Sequence, residues 1–231
     1  MHEKFPNRIE AGRQLAEKLA RYTDRTDCVV LALPRGGVPV GYAVAVAISA
    51  PLDVLVVRKL GVPGDEELAM GAMASGGIRV LNAGIVAAAQ VPDRAIAAVL
   101  AREQQELVRR ERIYRMGHHA QALRDRTVIL VDDGVATGAS MRVAISAVRS
   151  QHASRIIVAT PVAARSSYLE LREVTDEMVA LFMPKDFASV GQFYEDFHPT
   201  GDREVITLLT RARQNLWRHE AIMTPADALL V

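Results

Sequence analysis

The chain has one cysteine, Cys28, one tryptophan and few aromatic residues in 231. A single cysteine excludes an intrachain disulfide and a cysteine-built metal cage, and fits a reducing, cytoplasmic compartment. Neither sign of charge dominates, since 28 basic and 27 acidic residues leave a formal charge of +1. No global field therefore recruits nucleic acid or an anionic membrane, and any handling of phosphate must be local. The sequence also lacks an uninterrupted apolar run. The longest apolar window, Val38 to Leu52, is broken by Pro39, Gly41 and Pro51, and reads as a buried helix rather than a membrane span. The charged amino terminus excludes a signal peptide. Absent too are a GxxxxGK[ST] loop, a GxSxG elbow and a GxGxxG turn after a strand. The histidines have no ligand spacing, and no zinc site is expected.

What is present is an alternation. Asn7 and Glu10 form a capping pair ahead of Ile9, Leu15, Ala16 and Leu19, which predicts an amphipathic helix over about 8 to 22. Short apolar runs bounded by turn residues predict strands at Cys28 to Leu33, Leu52 to Val57, Val128 to Val131, Ile156 to Thr160 and Met178 to Phe182. Strands alternating with helices imply an α/β protein with a parallel sheet. Pro92 to Arg115 reads as a largely solvated helix carrying Ile96, Leu100, Leu107 and Ile113. Arg58 to Gly77 holds five glycines and a proline with little periodicity, and reads as an irregular, mobile loop able to close over a site. The segment 220–231 reads as a tail or truncated linker, which leaves open a fusion to a separate catalytic domain.

Chemistry concentrates at Thr127 to Met141, TVILVDDGVATGASM. An apolar strand runs into two carboxylates, then a turn of small residues, then a helix. Ligands of parallel α/β sheets gather at the carboxyl ends of strands, so Asp132 and Asp133 would project into a crevice. Paired carboxylates accept hydrogen bonds from a ribose diol, and their charge favours an oxocarbenium-like transition state at the adjacent anomeric carbon. Ala136, Thr137, Gly138, Ala139 and Ser140 let backbone N–H groups approach an anion at a helix start. The plain alternative is that the two acids end a strand and cap a helix, which accounts for less of the pattern.

This stretch resembles the signature of the type I phosphoribosyltransferase family: apolar strand, two acids, two variable residues, a small residue, Thr-Gly, a small residue, then Ser or Thr. The resemblance implies a parallel sheet flanked by helices with a small C-terminal hood, here residues 1–219 with the hood at about 184–201. It implies that Asp132 and Asp133 bind ribose hydroxyls as the catalytic pair and that Ala136 to Ser140 bind the 5′-phosphate of 5-phosphoribosyl-1-pyrophosphate (PRPP). Ala139 departs from the usual residue. Ala136 stands where 6-oxopurine enzymes have Asp, which argues against hypoxanthine or guanine.

Upstream, Leu31 to Gly41 carries Pro34, Arg35, Gly36 and Gly37 and resembles the family's pyrophosphate loop, in which a cis peptide is common. Arg58 and Lys59 resemble a basic stretch that contacts pyrophosphate in adenine-type members. A solvated charge pair is the plain alternative for them. Pro184 to Phe197 holds four of the eleven aromatic residues and resembles the hood of purine-type members, with Phe187 as the base-stacking residue and Lys185 as a contact to an exocyclic oxygen. A satellite core is the plain reading of Phe193 and Phe197. The implied activity is transfer of ribose 5-phosphate from PRPP to a nitrogenous base, with inversion and release of pyrophosphate. Mg²⁺ would be held mainly by PRPP oxygens, with no direct protein ligand. The implied partners are PRPP, a small base and, by analogy, a second copy in a homodimer. The rival is a PRPP-binding regulator or sensor without turnover.

Overall fold

The computed structural model describes residues 4–223. Helix α1 (Arg8–Lys18) begins as the capping pair requires, with Asn7 Oδ1 accepting from Glu10 N at 2.9 Å. It is shorter than expected, because the chain passes into a 3-10 turn at Ala20–Tyr22. Strand β1 (Cys28–Ala32) is buried at all five positions. Helix α2 (Gly37–Ala47) is the buried helix expected from the apolar window. It is followed by the short strand β2 (Leu52–Val54).

The stretch read as an irregular loop is instead a three-stranded antiparallel sheet of β3 (Val57–Val62), β4 (Asp65–Ala74) and β5 (Ile78–Leu81), in that order. Glycine hid the strands. A Cβ on Gly61 would lie 2.6 Å from the Glu66 carbonyl oxygen, and one on Gly71 would run into the Val80 carbonyl. The register shifts around Gly61. Glycine inside a strand commonly marks such a bulge or close backbone approach, and it removes the side chain that would have revealed a two-residue period.

Helices α3 (Ala83–Ala88) and α4 (Asp93–Arg115) follow. The expectation that α4 is largely solvated is corrected on one face. Ile96, Val99, Leu107 and Tyr114 are buried, and Leu100 and Ile113 pack against the same core. Dense Arg and Glu on the other face masked that stripe. Strand β6 (Thr127–Val131), helix α5 (Ala139–Ser150), strand β7 (Arg155–Val162), helix α6 (Arg165–Arg172) and strand β8 (Glu177–Phe182) complete the alternation. Helix α7 (Asp202–Met223) then runs through the point where a tail was expected to start. Residues 224–231 of that expected tail lie outside the described residues.

The main sheet has the order β2-β1-β6-β7-β8, all parallel. Its side chains alternate between two cores. Val30, Ile129, Val131, Ile157 and Ala159 face α1, α2, α4 and α7, whereas Val29, Leu31, Val128, Leu130 and Val158 face α5. A parallel sheet covered on both faces explains why its strands read as continuous apolar runs. Cys28 lies fully buried in the first core, and burial pushes its thiol up to about 11. Reactivity follows the thiolate. Native protein at pH 8 is therefore expected to resist iodoacetamide, and protein unfolded in guanidinium to gain one adduct by mass spectrometry. Rapid native alkylation would contradict this burial.

Candidate active site

Two loops meet at the carboxyl edge of the sheet because their strands are neighbours. Ala32 at the end of β1 pairs with Val131 at the end of β6, and Leu33 N donates to the Val131 carbonyl at 2.9 Å. The turn after β1 therefore abuts the acids after β6. The contact is so close that Gly36 and Gly37 can have no side chain. A Cβ on Gly36 would fall far inside van der Waals contact of Asp133 Oδ2, and one on Gly37 would lie 2.7 Å from the Val131 carbonyl. The glycines expected to expose amides are thus also demanded by the acids beside them. The Pro34–Arg35 peptide is cis, as the resemblance implies. Arg35 is about half exposed, with Nη1 3.6 Å from Asp202 Oδ1. That same oxygen accepts the Tyr114 hydroxyl at 2.7 Å.

Asp132 Oδ1 accepts from Asp133 N at 2.9 Å. Asp133 Oδ2 accepts from Arg8 Nε at 2.8 Å, and the Asp133 backbone carbonyl accepts the Tyr194 hydroxyl at 2.6 Å. Burial, reinforced by the charge of Asp133, pushes the Asp132 carboxyl well above the usual range. Burial raises Asp133 too, while the Arg8 guanidinium pulls it back. The pair thus favours holding a proton, with the negative charge drawn toward Asp133.

Beyond the acids, Gly138 has φ +70° and precedes α5 as its N-cap, a left-handed conformation suited to glycine. The outer side of this turn is tied down. Ser167 Oγ donates to the Ala136 carbonyl at 2.5 Å and Arg142 Nη2 to the Thr137 carbonyl at 2.9 Å. Ala136, Thr137, Ala139 and Ser140 are exposed. Among the described residues the N–H groups of Ala136, Thr137 and Gly138 meet no protein acceptor. Free N–H groups at a helix start suit an anion with several acceptor oxygens.

The hood, Pro184 to Gly201, is held by rings. Phe5 and Tyr194 lie 5.5 Å apart, Tyr194 and Phe197 5.1 Å, and Phe187 and Phe193 5.3 Å. Phe193 and Phe197 belong to the small core around Phe5, Ala11 and Tyr194, which is their plain reading. Val190 fills the space where Gly134 lacks a side chain, seating the hood on the loop after the acids. Phe187 is half-buried and Lys185 exposed in this hood.

The basic residues of β3 differ in their surroundings. Arg58 donates through Nε at 2.8 Å and Nη2 at 2.5 Å to Glu103 Oε2 on α4, so its guanidinium is occupied by a structural ion pair. Lys59, the next residue along the strand, is exposed. Arg8, Tyr194 and Asp202 are site residues that sequence reasoning missed. Arg8 lies 125 positions from Asp133, and no local motif announces such a contact.

The carboxyl edge of the parallel sheet thus joins paired acids, a small-residue turn and a glycine turn on the neighbouring strand. The family model described as phosphoribosyl transferase domain matches residues 3–198, and the chain belongs to that family. It is 42% identical over 223 residues to two proteins of Mycobacterium tuberculosis, named "Putative phosphoribosyl transferase Rv0571c" (strain H37Rv) and "Putative phosphoribosyl transferase MT0597" (strain CDC 1551). That match covers 96% of this chain and 50% of each relative, so the chain spans about half the length of these curated relatives. Among solved structures it is similar to TT1426 from Thermus thermophilus, with 41% identity and a TM-score of 0.77 over 90% of this chain and 98% of that one. No helix among the described residues is long and apolar enough to cross a membrane.

Proposed function

We propose that this chain transfers ribose 5-phosphate from PRPP to a nitrogenous base and releases pyrophosphate. The observation that carries the reading is the juxtaposition at one sheet edge of three features suited to three parts of PRPP. The acid pair suits the ribose hydroxyls, the turn Ala136 to Ser140 the 5′-phosphate, and the turn Arg35 to Gly37 the diphosphate.

In the reaction a ring nitrogen of the base attacks the anomeric carbon from the face opposite the diphosphate. The carbon–oxygen bond to the diphosphate breaks, its electron pair leaves with pyrophosphate, and configuration inverts. Asp132 and Asp133 accept hydrogen bonds from the hydroxyls, and their negative charge stabilises the positive charge that grows on the ring. Arg35 and the amide of Gly36 receive the departing diphosphate, the Gly37 amide being engaged by the Leu33 carbonyl at 3.0 Å. The base would enter beneath the hood, where Phe187 offers a face and Lys185 a donor.

Mg²⁺ fits this donor set as an ion carried on diphosphate and ribose oxygens with retained waters. Among the described residues no group of three His, Cys, Asp or Glu side chains gathers to hold a metal. When bound, it would supply charge neutralisation of the diphosphate. Arg58, engaged by Glu103, could contribute to the diphosphate only by leaving that ion pair, so the turn after β1 is the better-supported binding element.

The test is calorimetric titration of PRPP with and without Mg²⁺, followed by a pyrophosphate-release screen over purines, pyrimidines and analogues. Metal-dependent binding with release for one base is the expected result. Binding without release for any base would favour a sensor, and no binding would overturn the reading.

A further inference from the structure

Arg8 opens α1, and three kinds of partner converge on its guanidinium. Nε donates to Asp133 Oδ2 at 2.8 Å, Nη1 donates to the His198 carbonyl at 2.8 Å, and the guanidinium carbon lies 3.8 Å from the centre of the Phe197 ring. Only 11% of the side chain is exposed. The carbonyl and the ring would suffice to stitch α1 to the hood. The bond to Asp133 reaches past the hood into the site, and its geometry is specific.

The contact is side-on through one nitrogen rather than a two-pronged fork. It engages Oδ2 of Asp133. Asp132 is arranged likewise, with Oδ1 accepting from Asp133 N, and the two carboxyls also hydrogen-bond to each other. No buried side-chain oxygen among the described residues is left unbonded. Each acid thus has one oxygen fixed, Asp133 by Arg8 and Asp132 by the Asp133 amide, while the pair keeps contact with solvent.

We propose that Arg8 is the positioning residue of the acid pair, fixing Asp133 as an oriented anion through one oxygen and leaving the other for a ligand hydroxyl. That the ligand is a ribose phosphate rests on the function proposed above; the orienting role does not.

The groups acting on the Asp133 carboxyl are few. Asp132 adjoins it, Arg8 approaches from α1, and Tyr194 comes from the hood with its hydroxyl on the Asp133 backbone carbonyl. Two neighbouring acids in a recessed site do not both ionise readily, so a single cation decides which one carries the charge. Without Arg8 the pair would share a proton with no preferred anion, and the rotamer of Asp133 would lose its guanidinium donor. Phe197 holds the guanidinium from its outer face and so sets the direction from which Nε approaches.

The test compares wild type, R8K and R8Q in two measurements. The first follows the side-chain carboxyl ¹³C signals of Asp132 and Asp133 against pH in ligand-free protein. In wild type Asp133 is expected to ionise before Asp132 as pH rises. In R8Q the first ionisation of the pair is expected to move to higher pH, because the cation that lowers it is gone. The second is PRPP titration with Mg²⁺ between pH 7 and 9. R8Q is expected to bind about tenfold more weakly than wild type, because the Asp133 carboxylate loses the donor that orients it. R8K keeps the charge without the side-on N–H and is expected to show an ionised Asp133 with affinity between the two, which preserves the test if R8Q does not fold.

Identical carboxyl titrations in R8Q and wild type, with only a lower melting temperature, would reduce Arg8 to a stitch between α1 and the hood. Full wild-type affinity in R8K would overturn the orienting role. If wild type does not bind PRPP, the ribose-phosphate reading fails, and the carboxyl titrations still decide what Arg8 does.

Discussion

The double variant Asp132→Asn with Asp133→Asn is expected to lose ribose-phosphate binding by more than about 100-fold while keeping its fold. Each carboxylate is assigned hydrogen bonds to ribose hydroxyls, and bonds to a charged partner contribute about 1.5–3 kcal/mol apiece. Two such losses leave little affinity. The fold should survive because Asn keeps one oxygen in place, so Arg8 Nε and Asp133 N each retain an acceptor. Stability should even hold or rise at pH 7 to 8. A carboxyl whose folded pKa is raised binds a proton more tightly in the native state than in the unfolded one, so native stability falls as pH rises above the ordinary carboxylate value. Burial raises both acids in this way, and the uncharged amides remove the penalty. Calorimetry and thermal melts at pH 5 and 8 read the two effects separately. Unchanged affinity would sink the site assignment, and a collapse in melting temperature at both pH values would show the acids to be structural.

Gly36→Ala is expected to lower PRPP binding by about 10- to 100-fold, although alanine is the mildest of substitutions. The backbone at Gly36 has φ −58° and ψ −34°, which alanine adopts freely. The whole effect must therefore come from the methyl group, which would land on the Asp133 carboxylate. Either the turn after β1 retreats or Asp133 swings off Arg8, and overpacking of this sort costs about 1–3 kcal/mol. Gly64→Ala is the matched control. Nothing lies within 4 Å of its added Cβ, but its φ is +88°, so it should cost stability through backbone strain and leave PRPP affinity unchanged. Equal affinities for Gly36→Ala and wild type would show that the two turns do not depend on each other.

The parts of this architecture legible in the sequence are those written contiguously. The acid pair, the small-residue turn and the strand before them fall within Thr127 to Met141, and the neighbouring turn within Leu31 to Gly41, so spacing alone places them at strand ends. The buried helix α2 and the five runs of the parallel sheet were legible for the same reason, since burial on both faces writes continuous apolar stretches. The sheet of β3, β4 and β5 was not, because Gly61 and Gly71 sit where pairing strands leave no room for a side chain. Along α4 the charges that lace its outer face outnumber the apolar positions beneath. For Arg58, a candidate diphosphate contact or solvated charge, the sequence carries no sign of the Glu103 bond formed 45 positions away. Arg8 belonged to a helix with an obvious cap and an ordinary amphipathic face, and nothing local marks the long reach of its side chain.

The hood joins the amino-terminal segment through backbone bonds: Phe5 N to the Phe193 carbonyl at 2.9 Å, Glu195 N to the Phe5 carbonyl at 2.9 Å and Asp196 N to the Pro6 carbonyl at 3.0 Å. The segment around Phe5 therefore waits for one made almost 190 residues later. Until that later segment emerges from the exit tunnel, Arg8 has neither its ring nor its carbonyl, and the nascent chain carries a finished sheet edge beneath an unfinished site. Contacts of such sequence separation carry a large loop-closure cost, so the candidate site is completed only after the hood has been made.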